Sequence, residues 1–369
     1  MRNTLFLIVF FFSYPLWASK ALLNNGEILL PPPKKSLRYS SPYPTAKRVS
    51  DTAATSTISL YLSTLKDEPD NPWALSQLAA TFSQKGLLDL AEKYLQLSSQ
   101  QGFWYYYNLL ENKSFNNIRE TETFRKVLIE TKQRYHVKAE GLEGKSSFYI
   151  PSSIMPSGGW PVVFFLHDAG KSANITHAEK HYYNSRGIVY VELNGTQMLS
   201  ENTFRWSPHR VDDTHRAIQR ALDNIRTRTS VNNEHIYLLG RTQGAMHAAN
   251  VLARYPESYA GGVLISPAGV MKPETTTHAK GLRIFISYFD KYEVYGKKNA
   301  HLFYHLFKEK NNVKIQNYSD RANTLVDWLA RYSQPIMWVN NRTNSAKPEP
   351  RITSPRSHAD EIEGEQSER

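Results

Sequence analysis

The chain has 369 residues, a net charge of +11 and no cysteine, with 40% apolar and 21% charged residues. That length accommodates a buried core of about 250 residues with a smaller unit beside it, and the composition is that of a globular protein. The missing cysteines exclude disulfides, thiolate metal sites and a thiol nucleophile, while the Lys and Arg residues are scattered, which fits a solvated basic surface or an affinity for acidic polymers rather than for nucleic acid.

The first segment, MRNTLFLIVFFFSYPLWASKA, carries Arg2, an apolar run from Leu5 to Phe12, and small residues at Ala18, Ser19 and Ala21. This is the layout of a secretory signal peptide over residues 1–21. Its apolar run is shorter than a membrane span requires, an uncleaved anchor being the competing reading. No later segment approaches a span, so the mature chain is expected to be exported, periplasmic or secreted, without a transmembrane helix. Sequons at Asn112, Asn174, Asn194, Asn317 and Asn341 would matter only on a eukaryotic secretory route.

Residues 22–52 contain PPPKKSLRYSSPYP, which sustains neither helix nor central strand and reads as an extended linker. Residues 53–132 have a helical texture. Leu75, Leu78, Ala79 and Phe82 recur at helical spacing, Gly86 interrupts, and Leu88, Ala91 and Leu95 resume the pattern. Small Ala79 and Ala91 would let two helices approach closely. The hairpin resembles one tetratricopeptide repeat, which implies a protein partner. A single repeat cannot bury its own faces, so FWYYYNLLENKSF is expected to form a further helix against it. Its aromatic cluster serves either as core or domain interface, or as a carbohydrate-stacking surface.

From residue 133 to 340 short β-branched and aromatic runs alternate with helical patterns. The expected strands are YHVKAEGL, SSFYIP, PVVFFLHDA, GIVYVELNG, HIYLLGR, GGVLISPA, GLRIFISYF and NVKIQNY. DDTHRAIQRALDNIRTR, GAMHAANVLARY and AHLFYHLFKEKN are expected helices. Apolar strands alternating with helices imply an α/β fold, a mainly parallel sheet covered on both faces. The polar, Pro-containing residues 341–369 are expected to be a disordered tail.

Four features fall in order along the α/β part. VVFFLHDAG brings a strand to His167, Asp168, Ala169 and Gly170. RWSPHRVDD carries Trp206, Asp212 and Asp213 ahead of a helix. YLLGRTQGAMHAA holds Gly240, Arg241, Thr242, Gln243 and Gly244, and RIFISYFDKYE ends a strand at Asp290. With RYPESYAG after the second of these helices, the series over about residues 145–335 resembles the α/β-hydrolase fold. It is most similar to the esterase group of feruloyl esterases, polyhydroxybutyrate depolymerases and phospholipase/carboxylesterases. The resemblance implies a G-x-S-x-G nucleophile elbow, in which glycines flank a strained nucleophile because the turn is too tight for side chains. It puts Thr242 at the nucleophile position and Asp290 at the triad acid. The oxyanion donors would be the N–H groups of Gln243 and Ala169. No cofactor is implied.

The departures carry as much weight. Thr242 keeps a hydroxyl, but β-branching suits a strained elbow poorly. Asp168 replaces the family's second glycine and would oppose charge developing nearby. The triad histidine belongs after NVKIQNY, and SDRANTLVDWLARY contains none; beyond His305 only His358 remains, in the tail. A hydroxyl without a base is a poor nucleophile, and losing the nucleophile or the histidine of a serine hydrolase lowers its rate by ~10⁶. His247, five residues past Thr242, is expected to point into packing, and His167 to be structural. His177, His181, His209 and His215 are the candidates for a relocated base, with Asp320 a weaker one. His301 and His305 stand at i and i+4 on a helix without a third ligand, so no metal is expected. The expectation is an exported α/β-hydrolase-like protein with a degraded triad, used for binding or scaffolding, its ligand an ester or an acidic polymer. The alternative is an active carboxylic-ester hydrolase using Thr242 with a relocated base.

Overall fold

A computed structural model describes residues 51–289 and 294–318. The signal segment, all but the end of the linker, the tail, Asp290, Asp320 and His358 lie outside the described residues.

The described residues begin with helices α1 (Asp51–Asp67), α2 (Pro72–Gln84), α3 (Leu88–Gln100), α4 (Tyr106–Glu111) and α5 (Glu122–Ala139). Asn71 caps α2 by accepting the Ala74 N–H at 3.0 Å, with Pro72 in the first turn where its missing N–H costs nothing. Gly86 breaks α2 from α3 at φ 75°, a left-handed conformation that favours glycine. Ala79 and Ala91 are fully buried in one core with Leu78, Leu95, Phe103 and Phe115.

YHVKAEGL, expected as a strand, is not one. Residues 135–139 complete α5, whose buried side chains Phe124, Val127, Thr131, Tyr135 and Ala139 recur every three or four residues. That helical period outweighed the local strand formers. A boundary at 132/133 would therefore cut a helix; the chain changes texture only at the turns of Gly141 and Gly144, both at positive φ.

Thereafter come β1 (Ser146–Tyr149), β2 (Trp160–Leu166), α6 (His177–Asn184), β3 (Val189–Leu193), β4 (Gln197–Ser200) and β5 (Thr203–Arg205). They are followed by α7 (Val211–Arg226), β6 (Val231–Arg241), α8 (Gln243–Arg254), β7 (Gly261–Ile265), β8 (Arg283–Phe289), α9 (Val294–Phe307) and β9 (Asn312–Tyr318). One seven-stranded sheet runs in the order β1-β3-β2-β6-β7-β8-β9. Only β1 is antiparallel to its neighbour; the other pairings are parallel. Alternate residues of each strand feed two cores. Val162, Phe164, Val191, Leu238, Leu264 and Ile284 join α7, α8 and α9 on one face. Val163, Tyr190, Leu239, Val263 and Phe285 join Tyr182 and Tyr183 of α6 on the other. The expected mainly parallel α/β sheet is present.

Helix α6 and the β4–β5 hairpin stand beyond the expected elements. That hairpin lies outside the main sheet and packs Met198, Leu199 and Phe204 into the core of the helical unit. Arg205, 1% exposed, pairs with Glu111 of α4 through both guanidinium nitrogens, donates to Gln197 Oε1 at 2.7 Å and stands 5.1 Å over the Tyr107 ring. The Met198 N–H reaches both the Tyr135 hydroxyl, at 3.0 Å, and Glu143, at 2.9 Å. No helix of the described residues is long and apolar enough to cross a membrane.

Candidate active site

Strand β6 and helix α8 meet at Thr242, whose backbone lies at φ 48° and ψ −106°. A β-branched residue held there costs about 1–3 kcal/mol and persists only where its surroundings over-determine it. Here they do. The Thr242 N–H donates to the Ile265 carbonyl at 2.9 Å, and its carbonyl accepts the N–H groups of Met246 and Ala268, each at 3.1 Å. The flanking glycines are required by space. A Cβ on Gly240 would stand 2.5 Å from the Gly244 carbonyl oxygen, and one on Gly244 would stand 1.9 Å from that of Leu166. The elbow is built as its glycines foretold, with Thr242 buried at 6% exposure.

Gln243 opens α8, so its N–H has no acceptor within the helix and sits at the positive end of the helix dipole. Its side chain clamps the backbone of Trp206: Oε1 accepts the Trp206 N–H at 3.0 Å and Nε2 donates to the Trp206 carbonyl at 3.2 Å. The Trp206 indole in turn donates to the His167 carbonyl at 2.9 Å. One buried tryptophan thus ties the start of α8 to the turn after β2.

In that turn, Ala169, the expected second oxyanion donor, already gives its N–H to Asp168 Oδ1 at 3.0 Å. The Thr242 hydroxyl is near enough to act on the Asp168 carboxyl and to help hold its pKa down. Half-buried Asp168 therefore engages the N–H that was expected to serve as an oxyanion donor. Burial pushes its carboxyl above the ordinary range, against the pull of Arg241, the Thr242 hydroxyl, the Ala169 N–H and Lys171.

All histidines but His358 are among the described residues, and none of these hydrogen-bonds the Thr242 hydroxyl. His167 is fixed as a neutral ring. Its Nε2 accepts the Gly195 N–H at 3.0 Å, so the proton is on Nδ1, which donates to the Asp168 carbonyl at 2.7 Å. Burial lowers its pKa to about 4. His247 is fully buried, with Nδ1 2.7 Å from the Thr214 hydroxyl, and burial lowers its pKa to about 3. His215 bonds the Tyr259 hydroxyl at 2.9 Å and stacks on Tyr255. His177, His181 and His209 are exposed. An imidazole whose folded pKa is depressed binds protons more readily in the unfolded chain. The stability it supports is complete above the unfolded value of about 6.5 and is lost as pH falls toward the folded value. We expect the urea midpoint to fall on acidification below pH about 6.5, and the gap between wild type and His247→Met to narrow in the same range. A gap independent of pH would refute the neutral buried ring.

The W…DD stretch divides. Trp206 belongs to the elbow, while Asp212 binds Arg254 at 2.7 Å and the Tyr255 hydroxyl at 2.8 Å on the surface. Asp213 is paired with Arg210 and Arg216. Trp104 and Tyr105 are buried in the helical core, as the core reading of the aromatic run expected. His301 packs half-buried against Tyr288, and His305 is exposed. Among the described residues no three His, Cys, Asp or Glu side chains stand together as a metal site would need. β8 ends at Phe289, so the expected triad acid, Asp290, follows it outside the described residues.

No family model and no curated protein matches the chain. Among solved structures it is similar to a Bacillus cereus carboxylesterase, at 16% identity and a TM-score of 0.41, over 56% of this chain and 98% of the other. A Mesorhizobium loti carboxylesterase is similar at 17% identity and a TM-score of 0.40, over 49% and 90%. A ferulic acid esterase is similar at 12% identity and a TM-score of 0.40, over 53% and 91%. Likenesses of this size concern the arrangement of strands and helices and say nothing about activity.

Proposed function

We propose that this chain is an exported protein of α/β-hydrolase fold that uses its elbow region for binding or scaffolding rather than for acyl transfer. The observation that carries this reading is the Asp168 side chain, whose Oδ1 accepts the Ala169 N–H at 3.0 Å. A substrate carbonyl would have to displace the Asp168 side chain before its own oxygen could reach the Ala169 donor, and the hydroxyl lacks an imidazole partner among the described residues. The ligand class that fits the basic chain is an ester-bearing or acidic polymer, and the helical unit is the proposed contact for a protein partner. Export rests on the N-terminal apolar segment and is tested by fractionating cells that express the full chain.

The test of the central reading offers p-nitrophenyl acetate and butyrate to wild type and to Thr242→Ala. Equal rates, close to the buffer background, are expected. The competing reading, an ester hydrolase using Thr242, is favoured by the Asp168 carboxyl near the Thr242 hydroxyl, which would serve as a weak relocated base. Turnover well above background that disappears in both Thr242→Ala and Asp168→Asn would replace the first reading with the second.

A further inference from the structure

The segment leaving the oxyanion turn is fastened by a pair of buried acids that the site does not use. Glu179 of α6 and Glu192 of β3 are 6% and 5% exposed. Neither forms an ion pair with a basic side chain among the described residues. Glu179 Oε2 accepts the Thr176 N–H at 2.8 Å and its hydroxyl at 2.7 Å, closing the capping box of α6. Glu192 Oε2 accepts the Asn174 N–H at 2.5 Å. The remaining oxygen of each acid meets one hydroxyl: Tyr190 Oη lies 3.0 Å from Glu192 Oε1 and 3.3 Å from Glu179 Oε1.

Hydrogen counting decides what this arrangement contains. A phenol has a single proton to donate, and an ionised carboxylate only accepts. Three oxygens in a row, Glu179 Oε1, Tyr190 Oη and Glu192 Oε1, need two protons for two hydrogen bonds. Tyr190 supplies one. The other must sit on a carboxyl. Two bare carboxylates without a cation would also be left facing each other in a dry site, at a large cost.

We propose that Glu179 and Glu192 together form a proton-binding site, holding one proton between them through Tyr190, and that this proton keeps residues 171–176 seated. The surroundings agree. Burial and the Glu179 carboxylate raise Glu192 to about 7. The stacked Tyr183 ring lies 4.0 Å from that of Tyr190, and both phenols are raised by burial and by these acids, so neither ionises to compete. Arg186, whose charge acts on Tyr183, is engaged with the Tyr182 ring at 3.7 Å and the Tyr182 carbonyl at 3.1 Å. The seated segment continues directly from the turn that carries Asp168 and Ala169. It is fastened at Ala173 to Asn194 at 2.8 Å, at Asn174 to Glu192 and at Thr176 to Glu179. Losing the proton therefore loosens the far end of the oxyanion turn, and the site becomes a pH-sensitive hold on it.

The sign follows from linkage. Folding raises the affinity of Glu192 for its proton, so the stabilisation is complete below the ordinary carboxylate range and declines as pH rises toward 7. If opening of the segment releases one proton, its opening constant rises about tenfold per pH unit in that interval and then levels off. The experiment is hydrogen–deuterium exchange on the purified full chain from pH about 5 to 8.5, corrected for intrinsic rates and read on peptides covering 171–176. Wild type should lose protection with that slope, and Glu192→Gln or Glu179→Gln, which supply a permanent neutral amide, should flatten it. A slope in wild type that both variants retain, or protection of this segment that does not change with pH, overturns the proposal. Should neither variant fold, the wild-type data still decide: a pH dependence confined to 171–176 supports the site, and the same dependence in peptides throughout the chain refutes it.

Discussion

Gly244→Ala is expected to yield no folded protein. The added Cβ would stand 1.9 Å from the Leu166 carbonyl oxygen, 2.4 Å from its carbon and 2.7 Å from the His167 carbonyl oxygen. These are main-chain atoms at the end of β2, a strand paired on both sides by β3 and β6, so nothing nearby can swing aside. Overpacking a core commonly costs ~1–3 kcal/mol where side chains can shift. A backbone collision at the centre of the sheet should exceed that range, against a total stability of about 5–15 kcal/mol. Gly158→Ala is the matched control, since its Cβ would meet only the end of the Asn232 side chain at 3.3 Å. Soluble yield and urea unfolding of the two variants check the prediction. A Gly244→Ala protein with a wild-type midpoint would mean that the elbow helix does not approach β2 so closely.

The second large effect concerns the joint between helices and sheet. Arg205→Ala removes a guanidinium held by Glu111, by Gln197 and by the Tyr107 ring, leaving the Gln197 carbonyl and one carboxylate without their partner. Breaking a buried pair from one side costs about 3–5 kcal/mol. Glu111 is itself 33% exposed and can recover some hydration, so about 2–3 kcal/mol is expected here. The combined variant Arg205→Met, Glu111→Leu should regain most of that loss, because apolar side chains of similar volume replace a buried pair at little net cost. Urea midpoints at unchanged slope measure both. A combined variant as unstable as the single one would place the stabilisation in the cation's contacts with Gln197 and Tyr107 rather than in the pair.

The sequence made the elbow legible because its constraint is local. Gly240 and Gly244 report a turn too tight for a Cβ, and continuous apolar strands report a sheet covered on both faces. What sequence reading missed depends on contacts between distant segments. Gln243 was assigned a role through its N–H alone, yet its side chain holds Trp206, a residue 37 positions earlier. Asp168 reads in the sequence as a foreign charge in the turn after β2, and its approach to Thr242 depends on the pairing of β2 with β6. The β4–β5 hairpin escaped because its short strands face the helical unit, so its apolar residues Met198, Leu199 and Phe204 match no pattern of the main sheet. In YHVKAEGL, aromatic and β-branched residues suggested a strand, while the spacing from Phe124 to Ala139 carried the helix.

The hairpin has a consequence for how this chain can be inherited. Met198, Leu199 and Phe204 interrupt the α/β part between β3 and α7, yet their apolar surface is covered by helices encoded about a hundred residues upstream. Neither piece is portable. A rearrangement that transferred the sheet without the helices would leave the hairpin's apolar side bare beside the tryptophan that braces the elbow, and one that transferred the helices alone would open their core. The two have to be exchanged, duplicated or lost together, as a single heritable block.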